Sequence, residues 1–342
     1  MKYWLTCTAL AVIVIPAAGI AQIPASDTLD IYWIDVEGGA ATLIVTPTHE
    51  SVLMDSGWSR TDDRDAKRIQ RAMTDAHINR IDFFITSHFH RDHVGGLSAL
   101  ASRIEIGQFI DHGNSVEQEN EAGKALWNEY LSVAGGNRRT IKPSDKLPLA
   151  GLEFTFVSAH GENIPRALAP IGPNPYCAGM SAGAPDRGEN GRSVGYLLSL
   201  GGFQFLNLGD LTVDRQHDLA CPENKLGTVD LLQVPHHGND LTPQLMWALE
   251  ARVAVSSQGP HKGGSAEGFE IMAAVPGIED IWQLHRALDS GDAHNTDETL
   301  IANHTDEDNC LGHWIKAMVH PDGRSYSVLN GRNGSSRTYF SQ

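Results

Sequence analysis

The sequence predicts a mixed α/β layered domain, and three observations predict it. Short β-branched and aromatic runs come first, joined by tight turns. Strands then alternate with amphipathic helical stretches. Polar, chemically active side chains recur at the ends of those strands, where a sheet presents a site to solvent. The chain has 342 residues, 41% hydrophobic and 20% charged, a globular composition that excludes wholesale disorder. With no internal repeat and no low-complexity linker, residues 22–342 are expected to form one domain, with 252–342 as its C-terminal extension.

Each element has a local reason. Residues 29–36 carry strand-forming side chains until Gly38-Gly39 breaks the run. Residues 41–46 form a second run stopped by Pro47, and 51–54 a third stopped by Asp55-Ser56-Gly57, which together suggest an antiparallel meander. Residues 65–76 are polar with Ala66, Ile69 and Met73 on one face, a helical spacing. Residues 81–86 form a compact buried strand that runs directly into Ser87-His88. Helix is expected over 97–102 and 117–133, and strand over 104–110 and 152–157, the last ending near His160. Residues 161–191 are rich in Gly, Pro and Asn, which marks a long surface loop of the kind that is usually functional or disordered. A hairpin around Gly201-Gly202 joins 194–200 to 203–208 and leads to Gly209-Asp210. Strand 229–234 ends at Pro235-His236-His237, strand 252–257 follows, and a late hairpin is expected near 314–328.

Composition bounds the partners. Lys and Arg total 26 against 42 Asp and Glu, a formal charge of −16, which argues against a long nucleic acid as partner. A small phosphate ester held through a cation is still compatible with that charge. Residues 1–21 read as a signal peptide: Lys2 is basic, Leu5 to Ile15 is apolar, and small residues at Gly19 and Ala21 place cleavage before Gln22. That run is short for crossing ~30 Å of hydrocarbon, and Pro16 follows it, so no stable membrane anchor is expected after cleavage. The expectation is an exported protein, periplasmic or extracellular. Cys7 lies in the leader, and among Cys177, Cys221 and Cys310 one pair could bridge, with the pairing open.

The chemistry concentrates in His88-Phe89-His90-Arg91-Asp92-His93 at a strand end. Two His, an Asp and a His so close together are costly to bury without a ligand. His88 and His90, two apart in extended chain, project to one side, while Asp92 and His93 follow on the turn. Gly95-Gly96 lets the backbone pass closely into the next helix. Further donors stand at later strand ends, so His88, His90 and His160 form one three-nitrogen set, Asp92, His93 and His236 a second, and Asp210 bridges them. Three protein ligands per ion leave a position for water, and a cation pair lowers that water's pKa toward ~7. Zinc, two ions per chain, suits this nitrogen-rich set, with Mn2+ or Fe as alternatives. His49, His77, His112, His217, His304 and His320 read as surface or core histidines.

The pattern HFHRDH with a following GG, a distant His, an LGD and a strand-end His resembles the metallo-β-lactamase-fold hydrolases. IDVEGGAATLIVTP with VLMDSG, ENGRSVGYLL, FLNLGDL and LLQVPHHGN resembles the ComEC-type, competence-protein-like hydrolase domain over residues 29–260. Glu37, Gly38, Ala40 and Asn239 depart from that pattern, and the channel segments of a DNA-uptake protein are missing, so no role in DNA uptake is implied. The resemblance implies an αββα sandwich, two mixed β-sheets flanked by helices, with a di-zinc site at one edge. It also favours His236 as ligand and leaves His237 as a neighbour able to donate to substrate, or simply to support the ligands.

These readings predict a metal-dependent hydrolase in which Asp92 orients the nucleophile and His237, more than His261 or His294, serves the leaving group. A phosphodiester or phosphate ester ranks first as substrate, and a β-lactam or lactone second. The competing expectation is a secreted metal-binding module without turnover, for which closed coordination shells would be expected.

Overall fold

A computed structural model describes Met1 and residues 27–169, 172–179, 182–306 and 310–342. The expected signal segment, Cys7 included, lies outside the described residues. No helix among the described residues is long and apolar enough to cross a membrane.

Strand-forming sequence builds β1 (Leu29–Trp33), β2 (Thr42–Val45) and β3 (Ser51–Met54), which pair antiparallel as the meander expected from their turns. Next come β4 (Arg80–Ile85), β5 (Glu105–Asp111) and β6 (Arg138–Thr140), added in parallel, with α1 (Arg64–Asp75), α2 (Arg91–Val94), α3 (Leu97–Ala101) and α4 (Glu121–Ala134) between them. The last of these helices starts at Glu121 rather than 117 because the Asn120 side chain accepts the Gly123 N–H and fixes the first turn there.

The second half supplies β7 (Glu153–Ala159), β8 (Glu162–Asn163), β9 (Gly195–Leu200), β10 (Phe203–Asn207), β11 (Leu231–Gln233), β12 (Val253–Ser256), β13 (Asp280–His285) and β14 (Ile301–Asn303). They form an eight-stranded mixed sheet in the order β14-β13-β12-β11-β10-β9-β7-β8, with α5 (Val213–Ala220), α6 (Pro243–Ala248) and α7 (Ala266–Ala273) between strands. Finally β15 (Ile315–Val319), β16 (Ser325–Asn330) and β17 (Ser336–Phe340) return to the first sheet, where β15 pairs antiparallel with β1, giving the nine-stranded order β17-β16-β15-β1-β2-β3-β4-β5-β6. The expected late hairpin is therefore a three-strand meander that completes the first sheet.

Three apolar clusters make the layers. One lies between the sheets and includes Trp33, Phe156, Tyr196, Phe205 and Trp282. A second joins the outer side of the first sheet to α1, α3 and α4 through Ile69, Leu97, Leu100 and Trp127. A third joins the second sheet to α5, α6 and α7 through Leu219, Leu245 and Met272. This is the αββα sandwich, two mixed sheets flanked by helices. A buried polar knot ties the sheets together, since Gln233 Oε1 accepts from Trp33 Nε1 (3.0 Å), Thr42 Oγ1 (2.7 Å) and Asn207 Nδ2 (2.8 Å). It sits on the strand that leads into His236 and His237.

Candidate metal centre

The chain turns sharply where the chemistry gathers. A Cβ on Gly96 would stand 2.2 Å from the Ser56 carbonyl oxygen and one on Gly95 2.2 Å from that of Arg91, so the glycines are required by the close approach. Asp55, His160, His236 and His237 all have positive φ, a region that costs side chains with a Cβ about 1–3 kcal/mol each and tends to cluster at functional sites. The loop after β4 is held from behind. Glu189 is buried and accepts from the Phe89 and Val116 N–H groups while facing His112 Nε2 at 3.0 Å. Burial would raise its pKa, but His112 and the two amides outweigh that and hold it down at about 2.

Asp92, His93, Asp210 and His237 bring one donor atom each within 4.8 Å of one another, and all four residues are buried. His93 Nε2 lies 3.1 Å from Asp210 Oδ2, 3.3 Å from Asp92 Oδ2 and 3.2 Å from His237 Nε2. His237 Nε2 lies 3.3 Å from Asp210 Oδ2 and 3.5 Å from Asp92 Oδ2. The expected neighbour, His237, is thus the ring that converges with Asp92 and His93. The expected ligand His236 is half-buried, with Nε2 3.8 Å from Asp210 Oδ2 and 3.2 Å from Asn190 Nδ2. The left-handed backbone at both residues turns the two rings to different neighbours.

A looser set surrounds this core. His88 is buried, with Nε2 3.0 Å from His90 Nδ1 and 3.9 Å from Asp210 Oδ2. His90 is partly exposed and faces Glu117 at 3.2 Å. His160 is exposed, and its ring stands beside that of His112, at 6.4 Å between centroids. The tight turn at its positive φ and Gly161 directs it there. His261 and His294 pair with surface carboxylates, Asp289 and Glu270.

The structure adds residues that the sequence reading did not single out. Asp55 Oδ2 lies 2.8 Å from His93 Nδ1 and accepts from Ser87 Oγ at 2.7 Å, fixing the ring whose other nitrogen faces Asp210. Asp55 follows β3 in the quoted VLMDSG motif, which was the available signal. Ser257 orients His237 through its carbonyl and hydroxyl oxygens, each 3.3 Å from Nδ1. The Lys262 ammonium contacts Asp92 Oδ2, donates to the Gly38 carbonyl at 2.8 Å and lies 5.2 Å from the Trp58 ring centroid. Nothing in its sequence context marks it.

The electrostatics are those of a place that needs positive charge. Burial favours the neutral form of Asp210 and Asp92, yet the neighbouring His237 and His93 rings outweigh it and hold both carboxyls well below their usual range. Burial pushes His93 down, but Asp210, Asp92 and Asp55 together hold its pKa well above the ordinary imidazole value. Burial and the adjacent His93 push His88 well below it. His88 Nε2 faces His90 Nδ1 at 3.0 Å, and the Nε2 atoms of His93 and His237 face each other at 3.2 Å beside the Asp92 and Asp210 oxygens. Divalent cations fit this donor set.

The metallo-beta-lactamase superfamily model matches residues 34–188. That segment contains His88 to His93, whereas Asp210, His237 and Lys262 lie beyond it. A UPF0173 metal-dependent hydrolase of Cupriavidus necator is 23% identical over 188 residues, which is 55% of this chain and 57% of that relative. The chain thus spans little more than half the length of the curated relative it matches. Among solved structures, the metallo-beta-lactamase fold protein YhfI from Bacillus subtilis is 12% identical, covers 75% of this chain and 96% of its own, and overlays with a TM-score of 0.48. CmlA, a diiron beta-hydroxylase from Streptomyces venezuelae, is 12% identical over 74% of this chain and 47% of its own, with a TM-score of 0.41. The ComEC-type likeness rests on the motifs alone.

Proposed function

We propose that the chain is an exported metal-dependent hydrolase acting on a phosphodiester or phosphate ester. The observation that carries the reading is the convergence of His93 and His237 on one oxygen each of Asp210 and Asp92. Asp92, His93, His237 and Asp210 would hold one cation, and His88, His90 and Asp210, with His236 or Asn190 nearby, a second. Zinc suits the set, with manganese or iron as alternatives. Bound cations there would supply Lewis acidity, drawing a proton from water near neutral pH and neutralising charge on the attacked oxygen.

The chain's own groups do the rest. Asp55, Ser257 and Glu117 orient the His93, His237 and His90 rings, so the donors are positioned before a ligand enters. Asp92 accepts from Lys262 and can orient the nucleophile by accepting its hydrogen bond. The Lys262 ammonium, partly exposed beside Asp92, offers a cationic contact to an anionic substrate, which favours a phosphate over a neutral ester. His236, at the more exposed rim, can donate to a leaving group. Export is supported by the leader-like residues 1–21 and by the Cys177–Cys221 disulfide, a bond that persists in oxidising compartments.

The test is hydrolysis by the metal-analysed full chain against a phosphodiester, a phosphomonoester, a chromogenic cephalosporin and a lactone. Turnover of the phosphate substrates above the others supports the proposal. Preference for the cephalosporin or lactone replaces the substrate class, and full metal content with no turnover of any of them leaves a metal-binding module.

A further inference from the structure

A second group of metal-binding side chains lies outside that centre. Asp35, His285 and Cys310 each bring a ligand atom within 4.8 Å of the other two. They come from three distant parts of the chain: Asp35 two residues after β1 in the first sheet, His285 at the end of β13 in the second, and Cys310 between β14 and β15. Asp35 and His285 are buried, and neither ring nitrogen of His285 makes a hydrogen bond of ordinary geometry. A fully buried imidazole with two orphaned nitrogens is costly unless something absent from the protein itself meets one of them. Cys310 is the free thiol among the described residues, because Cys177 and Cys221 are bonded to each other. Its sulfur stands 4.0 Å from Asp35 Oδ2, too long for a strong contact, and 3.7 Å from Asn303 Oδ1.

Charge balance agrees. Asp35, Glu37 and Asp65 face the guanidiniums of Arg64 and Arg68 through a chain of ion pairs, three carboxylates against two cations. A divalent ion that displaces the thiol proton to solvent adds one net positive charge and closes that deficit. A cleft of about 480 Å³, lined by Cys310, Asn303, His304, His313 and Arg332 among others, gives an entry path.

We infer that Asp35, His285 and Cys310 form a second, structural metal site that takes a thiophilic divalent ion such as zinc. Thiolate, imidazole and carboxylate are its three donors, and the Asn303 carbonyl oxygen, which accepts from the His313 N–H and keeps a free lone pair, or a water completes four-coordination. The ion clamps the two sheets where β1 and β13 end.

Cobalt(II) titration of the chelator-stripped full chain tests this. The Asp210 centre offers nitrogen and oxygen donors alone, so thiolate-to-cobalt charge-transfer absorption reports the second site and is indifferent to the proposed hydrolysis. The absorption is expected to saturate near one equivalent, to vanish in Cys310→Ser, and to need at least about tenfold more cobalt in His285→Gln. Zinc-loaded Cys310→Ser should hold one ion fewer per chain than the parent and keep its hydrolytic activity, which also shows that it has folded. No sulfur-to-cobalt absorption at saturation, absorption that survives Cys310→Ser, or unchanged zinc content in that variant overturns the site.

Discussion

The Asp210 centre and the Asp35–His285–Cys310 cluster are built from similar side chains in opposite ways. Around Asp210 each converging ring has a second partner behind it: Asp55 for His93, Ser257 for His237, Glu117 for His90. In the other cluster Arg68 holds the carboxylate at 3.3 Å, while neither nitrogen of His285 has a hydrogen bond of ordinary geometry behind it. The difference separates orientation from mere collection. Donors aimed by outer hydrogen bonds keep their geometry while a substrate comes and goes, as catalysis requires. Donors gathered by packing where two sheets meet are suited to a permanent clamp. The same contrast shows in two buried carboxyls. Burial pushes Asp35 up to about 6 despite Arg68, whereas Glu189, with amide and imidazole partners, is held at about 2.

Substitutions can break this contrast, and the largest effect belongs to Asp210. Asp210→Ala is expected to bring hydrolysis to background, a loss well beyond the ~100-fold that an outer partner is worth, while leaving the cobalt–thiolate absorption intact. Steady-state kinetics with cobalt spectra on one preparation check both halves.

Next come the neighbouring histidines. His237→Ala should cost markedly more metal affinity than His236→Ala, because the His237 ring is buried against Asp92, His93 and Asp210 and the His236 ring is half-exposed. Competitive chelator titrations rank the two, and an equal or reversed order would return His236 to the inner set. A third substitution, Asp55→Asn, should weaken zinc binding about 10–100-fold while leaving the fold intact, which the same titration measures alongside circular dichroism.

A separate effect is on stability. A carboxyl whose folded pKa lies below its unfolded one contributes stability above the unfolded value and loses it as pH falls through the folded one. For Glu189 that window runs from about 4.5 down to about 2, and the contribution is about 3 kcal/mol. Metal-free Glu189→Gln should be less stable at neutral pH by an amount of that order, and the gap should close toward pH 2 in acid-dependent denaturant melts.

Much of the first centre was legible because its donors sit next to one another. His88, His90, Asp92 and His93 occupy one short turn, and Asp210 ends a strand after a glycine, so local pattern was enough. His160 was legible from its strand-end position, but the left-handed turn that sets its ring beside His112 was not, because backbone direction at one residue is not a pattern. Sequence could not rank His236 against His237 for the same reason, since consecutive positive φ values defeat the alternation that extended chain would give. Lys262 and His285 were invisible because only the packing of the two sheets brings them to their partners. In the fold, the meander and the alternating half followed from turn residues and periodicity. The return of β15 to β1 depends on a pairing between residues at opposite ends of the chain, which no local signal encodes.

The central claim is that Asp210 is the hub of a metal centre. Anomalous diffraction from crystals of the zinc-loaded protein tests it most directly. The account predicts two zinc peaks within coordination distance of the Asp210 carboxylate, one of them shared with Asp92, His93 and His237. No zinc at Asp210, or zinc bound at His88 and His90 with the Asp92, His93 and His237 side chains left free, would contradict it.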